Sequence, residues 1–363
     1  MTPVRALGLV SGGLDSAVAV RLLQNQGAEV TALYVDTPFL DDTTVHETLG
    51  RVSHAQALAF ELGVPFIRHQ TGPDYLQLVK YPPHGWGSDM NPCLDCHVHF
   101  LKVAKEYREK EGFDFVFTGE VVGQRPMSQL KNLLRHVEKA SGLDGLLLRP
   151  LSAKLLPETL PEQRGQVDRD ALLDISGRGR SRQIALASQW GLRYFSAPAG
   201  GCLLTQGSYS RRLYDLLCAA HPLMPSPGEL ALLPVGRHVR LPDGRKYVAG
   251  RRAEENERLF ALSEELGFVL FSPEGFSGPS VLVASPLEEP TPREVCSHVH
   301  AVMAAWGKPG QGAGDPAMVE HRPGRPPKVH ALVGKPVLDR NALAACTVDD
   351  PDQNPRRAPF PLT

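Results

Sequence analysis

The segment at residues 4–26 joins a short apolar run, two consecutive glycines and a helical pattern, and it constrains the fold more than any other part of the chain. The apolar run predicts a buried strand, the hexapeptide SGGLDS a tight turn, and the residues after it a helix. Glycine N–H groups can converge on an anion at a helix N-terminus, where the helix dipole adds positive charge. We therefore predict a phosphate-binding loop whose contacts come from Ser11, Gly12, Gly13 and Ser16.

The loop lacks the lysine that reaches the β- and γ-phosphates in kinases and GTPases, which argues against those classes. Asp15 stands in the loop instead. A carboxylate is a poor direct phosphate ligand but a good ligand for Mg²⁺ that bridges pyrophosphate. We therefore expect Asp15 to act through magnesium.

Strand and helix patterns alternate up to about residue 150. The strand patterns cover Val4 to Val10, Glu29 to Asp36, Phe66 to His69 and Phe113 to Thr118, and the helix patterns cover 14–26, 43–62 and roughly 94–111. This alternation predicts an α/β fold, a parallel sheet with helices on both faces and a ligand crevice beyond the carboxyl ends of the strands.

Near residue 222 the sequence changes to short alternating segments with turn signals. We expect three regions, an α/β domain over 1–222, a small α+β module over 223–290 and a mostly irregular tail, rich in proline and glycine, over 291–363. The formal net charge is -1, so any contact with nucleic acid must use a local basic face.

Six cysteines in 363 residues do not form the pattern of a secreted disulfide framework. No run of about 18 apolar residues is present, so we expect a cytoplasmic protein with no membrane partner. Cys93 and Cys96 form a C-x-x-C motif at the head of a predicted helix, where the dipole favours thiolates. We interpret His97 and His99, which follow the motif, as ordinary helix-surface or packing histidines.

The SGGLDS loop after a first strand resembles the PP-loop of the ATP pyrophosphatase superfamily, whose fold is adenine nucleotide alpha hydrolase-like. Three further segments, TGEVVGQRPMSQ (118–129), LRPLSAKLLPET (148–159) and SAPAGGCLLTQGSYSRRLYDLL (196–217), are similar to the tRNA 4-thiouridine synthase-like proteins. The resemblance implies ATP and magnesium as cofactors, and an ATP-dependent sulfurtransferase that adenylates a uridine or related carbonyl of tRNA and replaces its oxygen with sulfur. It also implies further ATP contacts at Tyr34, Asp36, Gly119, Glu120 and Gln124.

The resemblance leaves three roles open for the cysteines. In the first, Cys93, Cys96 and Cys202 ligate a 4Fe–4S cluster. In the second, two of them act as a persulfide relay, and in the third they bind zinc or are inert. We give Asp15, Cys93 and Cys202 catalytic roles and favour the cluster, with a donor protein or free sulfide as the source of sulfur.

Basic residues in two regions are candidates for contacts with tRNA phosphates. Residues 230–285 resemble an NFACT-R-type RNA-binding module. The candidate residues are Arg178, Arg180, Arg182, Arg211, Arg212, Arg237, Arg245 and Lys246.

Two other functions remain open at this point. One is a PP-loop ligase that acts on a small molecule, of the deazaguanine type, and the other is an RNA-binding protein with a degenerate nucleotide pocket. The intact SGGLDS loop argues against the second of these.

Overall fold

The computed structural model describes residues 3–40, 43–125, 128–196, 201–220, 223–308, 315–332 and 334–349. The chain divides into two compact units, Met1–Leu203 and Leu204–Thr363. Among the helices in these ranges, none is both long enough and apolar enough to cross a lipid bilayer.

The first unit is organised around a parallel sheet. Its strands are β1 Arg5–Leu9, β2 Glu29–Asp36, β3 Thr43–His46, β4 Gly50–Ser53, β5 Phe66–Gln70, β6 Phe115–Thr118 and β7 Leu147–Leu148. Five of them form one sheet in the order β5-β2-β1-β6-β7, in which each neighbouring pair is parallel. β3 and β4 form a separate antiparallel hairpin.

Helices cover both faces of this sheet. They are α1 Leu14–Asn25, α2 His54–Leu62, α3 Pro73–Lys80, α4 Cys93–Glu111, α5 Lys131–Ser141, α6 Leu160–Gln163 and α7 Ser181–Gln189. Consecutive side chains of a strand point to opposite faces, so Ala6 belongs to a core with residues of α1 and α2, and Leu7 to a core with residues of α4 and α5. The predicted parallel sheet with helices on both faces is confirmed.

The strand order places a crevice at one defined position. From β1 the chain proceeds to β2 on one side, and β6 later pairs with β1 on the other side, with Leu9 opposite Thr118. Loops that leave such a pair of parallel strands diverge to opposite faces and open a ligand site at their carboxyl ends. The glycine-rich loop after β1 and the loop after β6 therefore flank the same crevice.

The structure differs from the predicted helix over 43–62. Residues 43–53 form the β3–β4 hairpin, which suits the β-branched run Thr43, Thr44 and Val45, and Gly50 adopts a left-handed φ of 70° in it. The helix begins only at His54, because the Ser53 side chain accepts a hydrogen bond from the Gln56 N–H and caps it.

The second unit contains an antiparallel sheet with helices. Its elements are α8 Gly207–Ala220, α9 Pro227–Leu232, β8 Arg237–Arg240, β9 Lys246–Ala249, α10 Ala253–Leu266, β10 Leu270–Glu274, β11 Val281–Val283, α11 Arg293–Trp306, β12 Ala317–His321, β13 Lys328–Ala331 and α12 Arg340–Ala345. The six strands lie in the order β13-β12-β10-β11-β9-β8. The predicted α+β region after the parallel sheet is thus confirmed.

The described part of the expected irregular tail is ordered and belongs to this sheet. β12 pairs with β10 and with β13, and Val295 and Val299 of α11 are fully buried in the same core as Phe271. Strand pairing between segments that are distant in sequence leaves little local signal, which is why a proline- and glycine-rich composition suggested a tail.

Candidate active site

The loop after β1 has the geometry of an anion site. Gly13 is the N-cap residue of α1 and has no side chain to cap the first N–H groups of the helix, so a ligand can accept hydrogen bonds there. The Ser11 N–H donates to Ser16 Oγ at 3.3 Å, and the two hydroxyl oxygens lie 3.1 Å apart. Both hydroxyls are therefore held at the start of the helix.

Two glycines are required by close backbone contacts. Gly12 has a φ of 75°, and a Cβ there would lie 2.4 Å from the Ala55 nitrogen. A Cβ at Gly119 would lie 2.6 Å from the Ser16 nitrogen, so only glycine allows the end of β6 to approach the start of α1.

A cavity of about 500 Å³ lies at the carboxyl ends of β1, β2 and β6, within the volume range of small-molecule sites. Eleven of the residues predicted to bind ATP or to act as cysteine ligands line it. They are Ser11, Gly13, Asp15, Ser16, Tyr34, Cys93, Cys96, Gly119, Glu120, Gln124 and Cys202. The loop predicted to bind phosphate and all three candidate cysteines therefore face one space.

Asp15 lies in this cavity beside a cation that we expected on the RNA-binding surface. Arg180 Nη2 is 3.5 Å from Asp15 Oδ2, and Arg180 lines the cavity. Burial raises the pKa of Asp15, and the Arg180 charge opposes that rise. Arg125 also lines the cavity, so two guanidinium groups face the space where phosphates would bind.

Tyr34 and Asp36 occupy different environments on β2. Tyr34 is buried, lines the cavity and stacks on Phe66 with ring centroids 6.3 Å apart. Asp36 accepts a hydrogen bond from Arg68 Nε at 3.0 Å and does not belong to the cavity lining. Tyr34 can therefore contact a ligand as the molecule stands, whereas Asp36 has a structural partner.

Cys93, His97 and Glu120 form a continuous polar chain at the cavity wall. His97 Nε2 lies 4.0 Å from the Cys93 sulfur, and His97 Nδ1 lies 3.0 Å from Glu120 Oε1. Burial by itself would raise the pKa of the Cys93 thiol, but the contact with His97 outweighs it and the pKa is lowered. Cys93 is thus more readily ionised to a thiolate than an ordinary cysteine.

Arg149 holds this polar chain in place, and the sequence analysis did not identify it. It is 3% exposed and donates from Nε to Glu120 Oε2 at 3.0 Å and from Nη1 to Glu138 Oε2 at 3.1 Å. Burial opposes ionisation of Glu120, yet Arg149 and His97 hold the pKa of its carboxyl well below the ordinary value. Glu120 is therefore a fixed anion, and His97 is not an ordinary packing histidine as the sequence suggested.

Cys96 has the opposite electrostatic character. It contacts the hydroxyl of buried Tyr75 at 3.1 Å, and burial raises the pKa of its thiol strongly. The charges of Cys93 and Cys202 raise that pKa further, which indicates that the three sulfurs influence one another. Cys202 is positioned by a bridge to Leu40, and Leu203 N–H donates to Phe39 O at 2.9 Å.

The three sulfurs suit a polynuclear group better than a single ion. A zinc ion binds thiolates at about 2.3 Å, so its ligand sulfurs must lie within about 4.6 Å of one another. In the described structure the sulfurs of Cys93, Cys96 and Cys202 do not all lie within 4.8 Å of one another. Cysteine thiolates are the usual ligands of iron–sulfur clusters, so the donor set fits such a group.

The candidate RNA contacts of the first unit differ in exposure. Arg178 and Arg182 are exposed, and Arg182 donates to Asp174 at 2.7 Å. Arg180, between them in sequence, faces the cavity. Only Arg178 and Arg182 of this group are thus accessible to a large ligand.

Several cations of the second unit are held in local interactions. Arg212 is 5% exposed and makes two hydrogen bonds of 2.6 Å with Asp349, and Lys246 is 6% exposed and lies 2.7 Å from Asp215. Arg245 pairs with Asp243 at 2.8 Å. The remaining two candidates are partly exposed, Arg211 with a buried Nε and Arg237 over the Trp306 ring. Arg212 and Lys246 therefore stabilise the unit and are not accessible to RNA in this conformation.

Comparisons with known proteins agree with the character of this site. Residues 1–154 match the family model described as "Thiamine biosynthesis protein (ThiI)". The chain is 31% identical over 153 residues to a "Probable tRNA sulfurtransferase" of Methanobrevibacter smithii, covering 41% of this chain and 38% of that protein. It is 27% identical over 269 residues to "tRNA-specific 2-thiouridylase MnmA" of Symbiobacterium thermophilum, covering 68% of this chain and 64% of that protein.

The chain thus spans less than two thirds of the length of these relatives. Among solved structures, it is similar to "U34-tRNA thiolase NcsA from Methanococcus maripaludis with its [4Fe-4S] cluster", with a TM-score of 0.31 and 19% identity over 64% of this chain and 69% of that chain.

Proposed function

We propose that the protein is an ATP-dependent tRNA sulfurtransferase. The observation that carries this proposal is the single cavity in which a phosphate-binding loop and three cysteines face each other. A kinase needs the first feature but not the second. The names of the sequence relatives, a sulfurtransferase and a thiouridylase, support the same chemistry.

The reaction has two steps. A carbonyl oxygen of a tRNA base attacks the α-phosphate of ATP and pyrophosphate leaves, which activates the base carbon. Sulfur then attacks that carbon, and AMP departs with the original oxygen. The products are a thiolated base, AMP and pyrophosphate.

The loop residues account for the first step. The N–H groups at the start of α1, with the Ser11 and Ser16 hydroxyls, would hold phosphate oxygens. Asp15 would bind magnesium that bridges the phosphates, and Arg125 and Arg180 would balance the charge that develops on leaving pyrophosphate. We thus assign Arg180 to ATP and not to RNA.

The cysteines account for the second step. Cys93, Cys96 and Cys202 would hold a 4Fe–4S cluster, which when bound supplies an iron site for sulfide. Burial opposes protonation of His97, but its contacts with Cys93 and Glu120 raise its pKa to about 10, so the protonated ring would donate from Nδ1 to Glu120 and from Nε2 toward Cys93. A persulfide relay between Cys93 and Cys202 is the alternative, favoured by the lowered pKa of Cys93.

The tRNA would contact exposed cations outside the cavity. In the first unit these are Arg178 and Arg182. In the second unit, Arg211, Arg237 and Arg245 are at least partly exposed, and we propose an NFACT-R-like role in RNA binding for that unit. Each phosphate contact that is removed should lower the slope of log affinity against log salt by about 0.7 to 0.9.

The test is the nucleotide product formed with unmodified tRNA, Mg²⁺, ATP and sulfide. We expect AMP and pyrophosphate from the wild type and none from Asp15→Asn. Asp36→Asn is the control, because Asp36 is an acid at the carboxyl end of β2 that pairs with Arg68 and does not belong to the cavity lining. Formation of ADP and phosphate, or full activity of Asp15→Asn, would refute the proposal. AMP formation on a free small molecule without tRNA would favour a ligase.

A further inference from the structure

A second cysteine–histidine–glutamate chain lies in the C-terminal unit. Cys296 on α11 has its sulfur 3.9 Å from His330 Nδ1, and His330 Nε2 lies 2.6 Å from Glu320 Oε2. Glu320 is on β12 and His330 on the neighbouring strand β13. The ring therefore bridges a thiol on one side and a carboxylate on the other.

Glu320 is fixed as an anion by further partners. It is 3% exposed, and its Oε1 accepts hydrogen bonds of 2.6 Å from Thr291 Oγ1 and from Arg322 Nε. Burial opposes its ionisation, but Thr291, Arg322 and His330 lower the pKa of its carboxyl. The Glu320 carboxylate accepts a hydrogen bond from the N–H at His330 Nε2. The lone pair of the neutral ring is therefore on Nδ1 and faces Cys296.

The thiol itself needs a base. Burial raises the pKa of Cys296, and the charge of Glu320 raises it further. The sulfur is therefore protonated near neutral pH. A nucleophile beside a base that a third group orients is the general arrangement of activated nucleophiles. Cys296 and His330 are both partly exposed, so small reagents can reach them.

The order of groups repeats that of the cavity. There the chain is Cys93, His97 and Glu120, and here it is Cys296, His330 and Glu320, with an arginine on each acid, Arg149 or Arg322. The two chains lie in different units and share no residue.

We propose that Cys296 is a second reactive centre that accepts sulfane sulfur from a persulfide, with His330 as general base and Glu320 as the group that orients it. His330 Nδ1 takes the thiol proton, and the Cys296 sulfur attacks the outer sulfur of R–S–SH. One S–S bond forms while another breaks, R–S⁻ leaves and takes the proton from His330, and Cys296 becomes a persulfide. No net oxidation occurs.

The chemistry of the site favours sulfur over acyl groups. Exchange at a sulfur–sulfur bond requires an attacking thiolate, access and a leaving thiolate. Acyl transfer also requires donors placed for an oxyanion, so the three groups present are sufficient only for the first. This proposal goes beyond the proposed function because the step requires neither ATP nor tRNA.

The test uses the full-length protein with glutathione persulfide at pH 7, without ATP or tRNA. Free and persulfidated thiols are then trapped with iodoacetamide, and the Cys296 peptide is quantified by mass spectrometry. We expect one added sulfur on Cys296 in the wild type and none at that position in Cys296→Ser. In His330→Gln the rate should fall about a hundredfold, the scale of general base catalysis.

The pH dependence of the rate and a control variant distinguish a general base at position 330 from a residue that only maintains the structure. The rate of His330→Gln should recover as pH rises and the thiol ionises by itself, whereas the wild type should react well at neutral pH. His321→Gln is the matched control, because His321 is next to Glu320 in sequence but contacts Ser272 at 2.8 Å. Circular dichroism verifies that each variant is folded. Glu320→Gln removes the carboxylate that orients His330, and if this variant unfolds, His330→Gln alone is sufficient for the test. Absence of sulfur on Cys296 in folded wild type, or an identical pH profile in His330→Gln, would overturn the proposal.

Discussion

His97 Nδ1 lies 3.0 Å from Glu120 Oε1, and this contact joins the helix that begins with the C-x-x-C motif to the loop after β6. The two cysteines of the motif have opposite properties. Burial opposes ionisation of Cys93, but its contact with His97 lowers the pKa, whereas burial raises the pKa of Cys96.

Removal of this contact should change the reactivity of Cys93. In metal-free wild type, iodoacetamide should modify Cys93 at lower pH than Cys96. Glu120→Gln removes the anion that holds the His97 ring in place, so the pKa of Cys93 should rise and alkylation near neutral pH should slow. His99→Gln is the control, since His99 lies on the same helix outside this chain. Equal rates at Cys93 and Cys96 in the wild type would contradict the assignment.

Arg149 should be essential for stability. Arg149→Leu removes the buried cation that Glu120 and Glu138 share, which leaves Glu120 with His97 and Glu138 with the more exposed Arg135, and should cost about 3–5 kcal/mol of unfolding free energy. Arg182→Leu removes an exposed pair with Asp174 and should leave the unfolding free energy nearly unchanged. Urea unfolding monitored by circular dichroism measures both, and equal costs would contradict the buried network.

The same network predicts a pH dependence. The pKa of Glu120 is lower in the folded protein than in the unfolded chain, so its contribution is complete above about pH 4.3 and is lost as pH falls toward the folded pKa. Glu120→Gln should therefore lose less stability than the wild type on acidification. Parallel acid-unfolding curves for the two proteins would argue against an ionised Glu120.

The glycine-rich loop offers a matched pair of substitutions. Gly12→Ala places a Cβ 2.4 Å from Ala55 N at a φ of 75°, which should cost at least about 1–2 kcal/mol and abolish ATP binding. Gly13→Ala meets only ordinary contacts, the nearest being Ser11 Oγ at 3.5 Å. Calorimetric titration with ATP should therefore show near-normal affinity for Gly13→Ala, and an equal loss in both variants would count against the loop geometry.

The cysteines can be tested by anaerobic purification. We expect about four irons per chain in the wild type, lost in Cys93→Ala, Cys96→Ala and Cys202→Ala. Cys218→Ala should retain iron because Cys218 lies on α8 in the second unit. Full sulfur transfer by an iron-free preparation would favour the persulfide relay.

The sequence was sufficient for the central sheet and the loop after β1. Strand, glycine turn and helix there are adjacent in the chain, so their pattern is local. It was not sufficient for β12, whose partner β10 lies more than forty residues earlier, because non-local pairing is decided by the tertiary structure and not by local propensity. The β3–β4 hairpin is local, and there the prediction extended the helix pattern of α2 too far toward the N-terminus.

The chemistry of the site was predicted in the same uneven way. The cysteines and Asp15 were identified by type and spacing, and the structure brings them to one cavity. The role of Arg149 depends on partners that lie 29 and 11 residues away in sequence, so no local pattern could reveal it. The burial of Arg212 and Lys246 could not be predicted for the same reason. A basic residue is expected to be exposed unless its acidic partner is known.

Mass spectrometry of tRNA nucleosides tests the proposed activity most directly. It compares cells that carry the gene, cells that lack it, and cells complemented with wild type or Asp15→Asn. An ATP-dependent tRNA sulfurtransferase predicts that one thiolated nucleoside disappears without the gene, returns with the wild type and does not return with Asp15→Asn. An unchanged set of thiolated nucleosides in cells that lack the gene would contradict it.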